Sequence, residues 1–470
     1  MKSHPNDLTR REFVRRACCA AVGSTGLLSA LAQLRVMGAV AANASSLPSG
    51  TSATLPSDYK ALVCLFLQGG NDANNMLVPG GGQAYRNYAA VRAELALPSL
   101  SLLPITTRQY SDGRNYALHP SMPEMQALYQ QGKLAFLANV GTLVQPTTLA
   151  QYEAGVGLPP QLFSHYDQAT QWQSSIPDQP FTTGWGGRLA DLVNALNTNS
   201  RISMSISLAG TNSFQVGNAV SSFAVDPNGV QLLWDANPDP DAPEWERYTR
   251  QKAILGKPPA NLLGAAFANT TSLAVTESEI LRKTLLTAPA LNTVFPASDM
   301  GDQLAAVAKL ISTAPRLGLR RQIFFVQLGG WDLHAQQYIS HGPLLAEISA
   351  AVNAFYNATV ELGVENQVTT FTASDFGRTY VPNAGGTDHG WGNHQFILGG
   401  AVSGGDIYGA MPSLVVGADD DTGRGRWIPS TSVDEYNATL ATWFGVSATD
   451  LPVVLPNIGR FAKPNLGFMG

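Results

Sequence analysis

Gln322-Ile323-Phe324-Phe325-Val326-Gln327-Leu328-Gly329-Gly330-Trp331-Asp332-Leu333-His334 is an apolar run that breaks at paired glycines and ends in an Asp-x-His pair. A continuous apolar run of this length, bounded by glycine, reads as a buried strand. Three more runs have the same form, at Ala61–Leu67, Leu134–Val140 and Val368–Thr372, and each ends at Gly, Asn, Asp or Ser.

Helical patterns lie between these runs. Ser121-Met122-Pro123-Glu124 opens one, with Met125 and Leu128 on a face. Residues 302–313 carry Leu304, Val307, Ala308 and Ile311 at helical spacing. A longer helix is expected to begin at Pro343, to turn Ile348, Val352 and Phe355 inward and to stop at Gly363. Ser432-Val433-Asp434-Glu435 is a capping box ahead of Leu440, Trp443 and Phe444, with Gly445 as the stop. Strands alternating with helices predict an α/β fold with a mostly parallel sheet covered on both faces. Between 201 and 296 the pattern changes. Ile202, Met204, Ile206 and Leu208 alternate as in a half-exposed strand, and residues 234–246 are rich in Pro, Asp and Trp, so this stretch reads as an inserted cap or lobe.

The first 44 residues read as a twin-arginine signal peptide. Thr9-Arg10-Arg11-Glu12-Phe13-Val14 precedes a short apolar stretch and small residues at Ala39-Val40-Ala41 and Ala42-Asn43-Ala44. Export by the twin-arginine translocase to the periplasm or cell exterior is expected, and that route carries proteins already folded. Six of the 29 basic and two of the 34 acidic residues precede Ser45, leaving 23 against 32 and a net charge of −9. That balance argues against nucleic acid as a partner. Cys64 is the one cysteine past the signal and sits in an apolar run, so the chain has no internal disulfide and Cys64 reads as a core residue. Residues 45–470 exceed the usual single-domain size, which favours one large α/β domain with an insertion.

Aspartates and histidines gather at the strand ends. Gln68-Gly69-Gly70-Asn71 leads to Asp72, a strand-end carboxylate or an Asx-turn. Asp332 and His334 follow the quoted strand, two residues apart, so both can face one side. His341 reads as a surface residue ahead of Pro343. Asp375 stands like Asp72, with Arg378 placed to pair with it or to hold an anion. Asp388, His389 and His394 share a Gly/Trp/Asn-rich loop. Carboxylate and imidazole are the donors that borderline divalent metals take. Ser164 begins a helical pattern, as an N-cap or as a nucleophile at a helix N-terminus. Asp419-Asp420-Asp421-Thr422-Gly423 lacks the spacing of a calcium loop and reads as a solvated turn.

Taken in order, the GGND start, Leu118-His119-Pro120, Ser164-His165-Tyr166, the TGWGGR run from Thr183 to Arg188, GGWDLH, SDFGRT, GTDHGWGNH and the terminal LPN…LGFM resemble an exported bacterial family known as domain of unknown function 1501. That family looks like a branch of the alkaline phosphatase and sulfatase superfamily. The resemblance implies a three-layer α/β/α sandwich with an inserted cap or lobe, divalent metal (Zn, Mn, Mg or Ca), and a Ser-type nucleophile acting on an anionic phosphate or sulfate ester. It implies Ser164 as nucleophile, Asp72, Asp332, His334 and Asp375 as metal ligands, and His389 or His394 closing the set, beside Asp388 and Arg378 from the residue reading above. Two departures stand out. Phe376 follows Asp375 where the superfamily often has His, and Asp332-x-His334 is tighter than the usual spacing. They leave a second expectation beside the hydrolase: a non-catalytic exported binding or assembly protein, with another exported protein as partner.

Overall fold

Leu67, Leu328 and Ser374 stand abreast at the ends of three adjacent parallel strands, so whatever follows them emerges on one rim. The structure is a computed structural model and describes residues 55–197, 200–230, 237, 239–257 and 259–470. The signal-peptide residues lie outside that range. The strands are β1 Lys60–Leu67, β2 Leu77–Pro79, β3 Leu103–Ile105, β4 Tyr116–Leu118, β5 Leu134–Gly141, β6 Ser205–Ser207, β7 Phe223–Ala224, β8 Arg321–Leu328, β9 Val368–Ser374, β10 Asn393–Gly399, β11 Ile407–Gly409 and β12 Thr431–Ser432. The main sheet runs β11-β5-β10-β9-β1-β8-β6-β7, with β12 also on β5, while β2, β4 and β3 form a small antiparallel sheet. Only β10 runs against its neighbours in the main sheet. The carboxyl ends of β5, β9, β1 and β8 and the start of β10 therefore share the rim.

Burial explains why the strands read as unbroken apolar runs. Ala61 through Leu67 are all buried, which requires cover on both faces. Cys64 lies in register with Phe325 on one side and Phe371 on the other. Phe371 packs against Trp185 of the helix Trp185–Val193 and against Tyr436 of the helix Val433–Phe444. The helices Asp299–Leu317, Gln337–Glu361 and Pro123–Gln130 pack together as a second group over β8 and β5. The α/β sandwich around a mostly parallel sheet is thus the observed architecture. The capping box at Ser432 and Glu435 forms as expected, and Gly445 ends that helix with φ 123°.

The structure departs from the sequence reading in several places. The long helix begins at Gln337 and carries Pro343 inside it. That earlier start draws His341 into the interior, where its Nε2 lies 3.0 Å from Asn71 Oδ1 and its ring meets His119 and Trp331, so it is not a surface residue. The alternating stretch at 202–208 is not half-exposed. β6 lies between β8 and β7, and Ser205 and Ser207 are as buried as Ile206. The rest of the 201–296 stretch includes helices Trp245–Leu255 and Leu262–Leu285, which pack on each other, the second also on Asp299–Leu317. Asp421 is buried rather than solvated: its carboxylate accepts from the backbone N–H of Gly417, Gly423, Gly425 and Arg426 and so shapes the turn.

Three histidines are folded in as neutral groups. Burial holds His394 down to about 4, His119 to about 4 and His341 to about 3. Each folded value lies below the unfolded one, so the stabilising contribution is full above about 6.5 and is lost as pH falls toward 4. His394 accepts the Asn139 N–H through Nδ1 at 3.0 Å, a bond that an asparagine can imitate. Urea titrations of wild type and His394→Asn at pH 7 and pH 4 should therefore converge, wild type losing about 3 kcal/mol more than the variant over that interval. An equal loss in both would show that His394 is not buried neutral.

Candidate metal centre

Three imidazoles on the rim are each tied down by Nδ1. His165, the first residue of the helix His165–Ser174, places Nδ1 2.7 Å from Asp375 Oδ2. His389 places Nδ1 2.6 Å from the Phe163 carbonyl oxygen. His334 places Nδ1 3.4 Å from Asp388 Oδ1. A carbonyl oxygen and a carboxylate only accept, so in the neutral rings of His165 and His389 the hydrogen sits on Nδ1 and Nε2 keeps its lone pair.

His334 Nε2 lies 2.9 Å from His389 Nε2 and 2.9 Å from Asp332 Oδ1. Asp332 also stands 3.4 Å from His389 Nε2 and 3.4 Å from His165 Nε2, an atom that is buried and otherwise without a hydrogen-bond partner. Donor atoms of His165, Asp332 and His389 all fall within 4.8 Å of one another. Nitrogen and carboxylate donors gathered this closely can share a divalent ion. Donors about 2.0 Å from a tetrahedral zinc ion stand ~3.3 Å apart, which the closest separations here match. His165, Asp332 and His389, with His334 beside the last two, fit a borderline divalent ion such as zinc better than Mg or Ca, which prefer oxygen.

The surrounding charges support the same geometry. His165 is pushed up, first by its hydrogen bond to Asp375. His389 is pushed down, first by burial. Burial opposes ionisation of Asp332, but the hydrogen bond and charge of Arg378 outweigh it and hold the carboxyl below its ordinary value. Arg378 is fully buried and already spent: it donates to Asp332 Oδ1 at 2.7 Å, Thr387 Oγ1 at 3.2 Å, Thr387 O at 2.5 Å and Gly69 O at 3.3 Å. Its role here is to orient Asp332.

Glycines let the loops approach this closely. A Cβ on Gly69 would fall 2.5 Å from the Asp332 nitrogen, one on Gly386 2.3 Å from the His334 carbonyl carbon, and one on Gly377 2.0 Å from the Gly392 oxygen. The glycines of GGND, SDFGRT and GTDHGWGNH are where those loops cross. Phe376 fills the place after Asp375 as an apolar wall, its ring 4.6 Å from His389 and 4.7 Å from His165 between centroids. Phe163 is held at φ 72°, a costly conformation for an aromatic residue. Gln168, bonded to its N–H at 2.6 Å, and His389, bonded to its carbonyl, keep it there.

Of the residues proposed from sequence, the structure gathers Asp332, His334 and His389 as facing donors, with Asp375, Asp388 and Arg378 behind them as supports. Asp72 lies on the same rim but pairs with Arg92 and Gln337, and His394 faces into β5. Ser164 caps the helix that carries His165, its hydroxyl donating to Asp167 Oδ2 at 2.6 Å. Sequence reasoning gives His165 no role. Its only signal was its place directly after a helix-start serine.

A family model described as "Protein of unknown function (DUF1501)" matches residues 59–446. No curated protein matches. Among solved structures, the chain is similar to the PsFucS1 sulfatase from Pseudoalteromonas sp. (11% identity over 84% of this chain and 69% of that one, TM-score 0.34). It is also similar to the lipoteichoic acid synthase LtaP from Listeria monocytogenes (7%, 86% and 78%, 0.34) and to the C-terminal periplasmic domain of EcEptC from Escherichia coli in complex with Zn (11%, 90% and 96%, 0.34).

Asp72 and His334 should separate in stability measurements. Asp72 is 2% exposed against a fully buried Arg92, so Asp72→Ala strands a buried charge and should cost about 3–5 kcal/mol. His334→Ala, at a side chain 45% exposed, should cost less than about 1 kcal/mol. Chemical denaturation of the metal-free variants reads both. Similar losses would mean that the Asp72–Arg92 pair does not support the fold.

Proposed function

The chain belongs to the DUF1501 family, and from that premise we propose that it is an exported metal-dependent hydrolase of anionic esters, phosphate or sulfate, with the ion held by His165, Asp332, His334 and His389. The observation that carries this reading is that donor atoms of His165, Asp332 and His389 lie within 4.8 Å of one another, with His334 Nε2 2.9 Å from His389 Nε2 and from Asp332 Oδ1. An ion bound there supplies Lewis acidity toward an ester oxygen. The chain supplies the rest. Asp375, Asp388 and the Phe163 carbonyl keep the imidazoles aimed, and Arg378 keeps Asp332 ionised and oriented.

Ser164 is the nucleophile that goes with this reading. Its hydroxyl stands at the N-terminus of a ten-residue helix, where the helix dipole favours an anion. Asp167 Oδ2, 2.6 Å away, is in place to take the hydroxyl proton as the serine oxygen bonds to phosphorus or sulfur, while the bond to the ester oxygen breaks and the alcohol leaves with a proton from water. Export is supported by the twin-arginine pattern at Thr9–Val14, and no helix among the described residues is long and apolar enough to cross a membrane.

Purified protein should take up one zinc per chain, and Asp332→Ala or His165→Ala should weaken that uptake at least 100-fold. Chelation should abolish hydrolysis of model phosphate or sulfate esters, and zinc should restore it. Ser164→Ala should retain the metal, lose turnover by 100-fold or more, and lose about 1 kcal/mol of stability through its missing cap. A preparation that binds none of Zn, Mn, Mg or Ca would end the reading. Zinc uptake with no turnover of either ester class would point instead to a binding or assembly protein on this scaffold.

A further inference from the structure

Arg426 touches two residues of the candidate metal site, His389 through its carbonyl and Phe163 through its ring, and pairs with none of the carboxylates there. It comes from the Asp419–Trp427 turn, which Asp421 shapes from within. Its backbone is fixed from both sides: the N–H donates to Asp421 Oδ1 at 3.0 Å, and the carbonyl accepts from Thr422 N and Thr422 Oγ1, both at 3.0 Å. The next residue, Trp427, is buried, donates to Asn74 Oδ1 at 3.1 Å and accepts from Gly392 N at 2.9 Å. The arginine therefore starts from an immobile anchor.

The side chain reaches His389 and the residue that holds its ring, Phe163. Nε donates to the His389 carbonyl at 2.7 Å, and the guanidinium carbon lies 5.2 Å from the centroid of the Phe163 ring. Phe163 is the residue held at φ 72° whose carbonyl fixes His389 Nδ1. Ring, guanidinium and imidazole thus form one connected unit. Contact with an aromatic ring occupies a guanidinium from its face and leaves its in-plane N–H groups free. Nε–H is used, and the Nη1 and Nη2 hydrogens have no acceptor among the described residues. No carboxylate pairs with Arg426 there either, in contrast to Arg424, which pairs with Asp388.

We propose that the Arg426 guanidinium, seated on Phe163, is the subsite for the tetrahedral oxyanion of the substrate or product, a phosphoryl or sulfo group. Two parallel N–H groups match two oxygens of such a group, and the contact is charge-assisted. This assignment rests on the ester-hydrolase reading, for it names what binds next to the ion. It also makes sense of the Arg378 geometry: that arginine has its donors committed to Asp332, Thr387 and Gly69, so the anion is left to Arg426.

The test is titration of the metal-stripped full chain with inorganic phosphate and with inorganic sulfate, for wild type, Arg426→Met and Arg426→Lys, followed by the same titrations with zinc loaded. Arg426→Met should bind the preferred anion at least tenfold more weakly than wild type in both metal states. Arg426→Lys, which keeps the charge and loses the fork, should fall between them. Zinc affinity should stay within threefold of wild type in both variants, which shows that His389 has kept its place. The more tightly held anion identifies the ester class. Equal anion affinity in wild type and Arg426→Met, or no binding of either anion by wild type, overturns the assignment. Failure of zinc uptake together with Arg426-dependent anion binding would sink the metal reading alone and leave the subsite standing.

Discussion

One carboxylate, Asp332, is held by the buried Arg378 guanidinium while three imidazole nitrogens crowd within 3.4 Å of its oxygens. The rest of the rim is arranged around that constraint. Asp375 takes its position from β9 and from the Gly69 N–H at 3.1 Å, and passes it to His165. Phe163 accepts backbone strain to present its carbonyl to His389. Asp388, braced by Asn383 and Arg424, steadies His334 from the solvent side. Each support fixes which nitrogen is free, which is the property a metal ion reads.

Close approach of backbone to backbone makes the arrangement buildable. The loops after β1, β8 and β9 and the loop before β10 cross at glycines where a methyl group would strike main chain. Motifs that look like glycine-rich punctuation are crossings in three dimensions. The same holds away from the site: a Cβ on Gly184 or Gly187 in the TGWGGR run would fall 2.1 Å from the Phe214 or Val216 carbonyl oxygen. Arg188 in that run is spent on the carbonyls of Ser174, Thr183 and Val454.

Much of this was legible before any coordinates. The runs around Ala61–Leu67, Gln322–Leu328 and Val368–Thr372 are strands because both their faces are buried, and uniform apolarity is what double burial looks like in sequence. Their shared rim followed from the α/β pattern, so Asp332 and Asp375 could be placed together. β10 was missed because its apolar run follows directly on a polar loop, and with it went the placement of His394, which points into the sheet. His165 was passed over because a histidine after a helix cap has no periodicity to mark it. Arg426 was hidden in a run of aspartates and glycines that reads as solvent-exposed, although one buried carboxylate organises it.

The sequence by itself determined the architecture, the family and the rim, because burial patterns, caps and motif order are local and survive in one dimension. Only the tertiary structure decided which side chains meet. His165 and His389 lie more than two hundred residues apart, and their ring centroids come within 4.3 Å because β5 and β9 lie either side of β10 and end on the same rim. Asp72 and Asp375 follow strands of the same kind, yet one faces a buried arginine and the other a histidine. That choice depends on how neighbouring loops pack and on which donors are within about 3 Å, and neither is written in spacing along the chain.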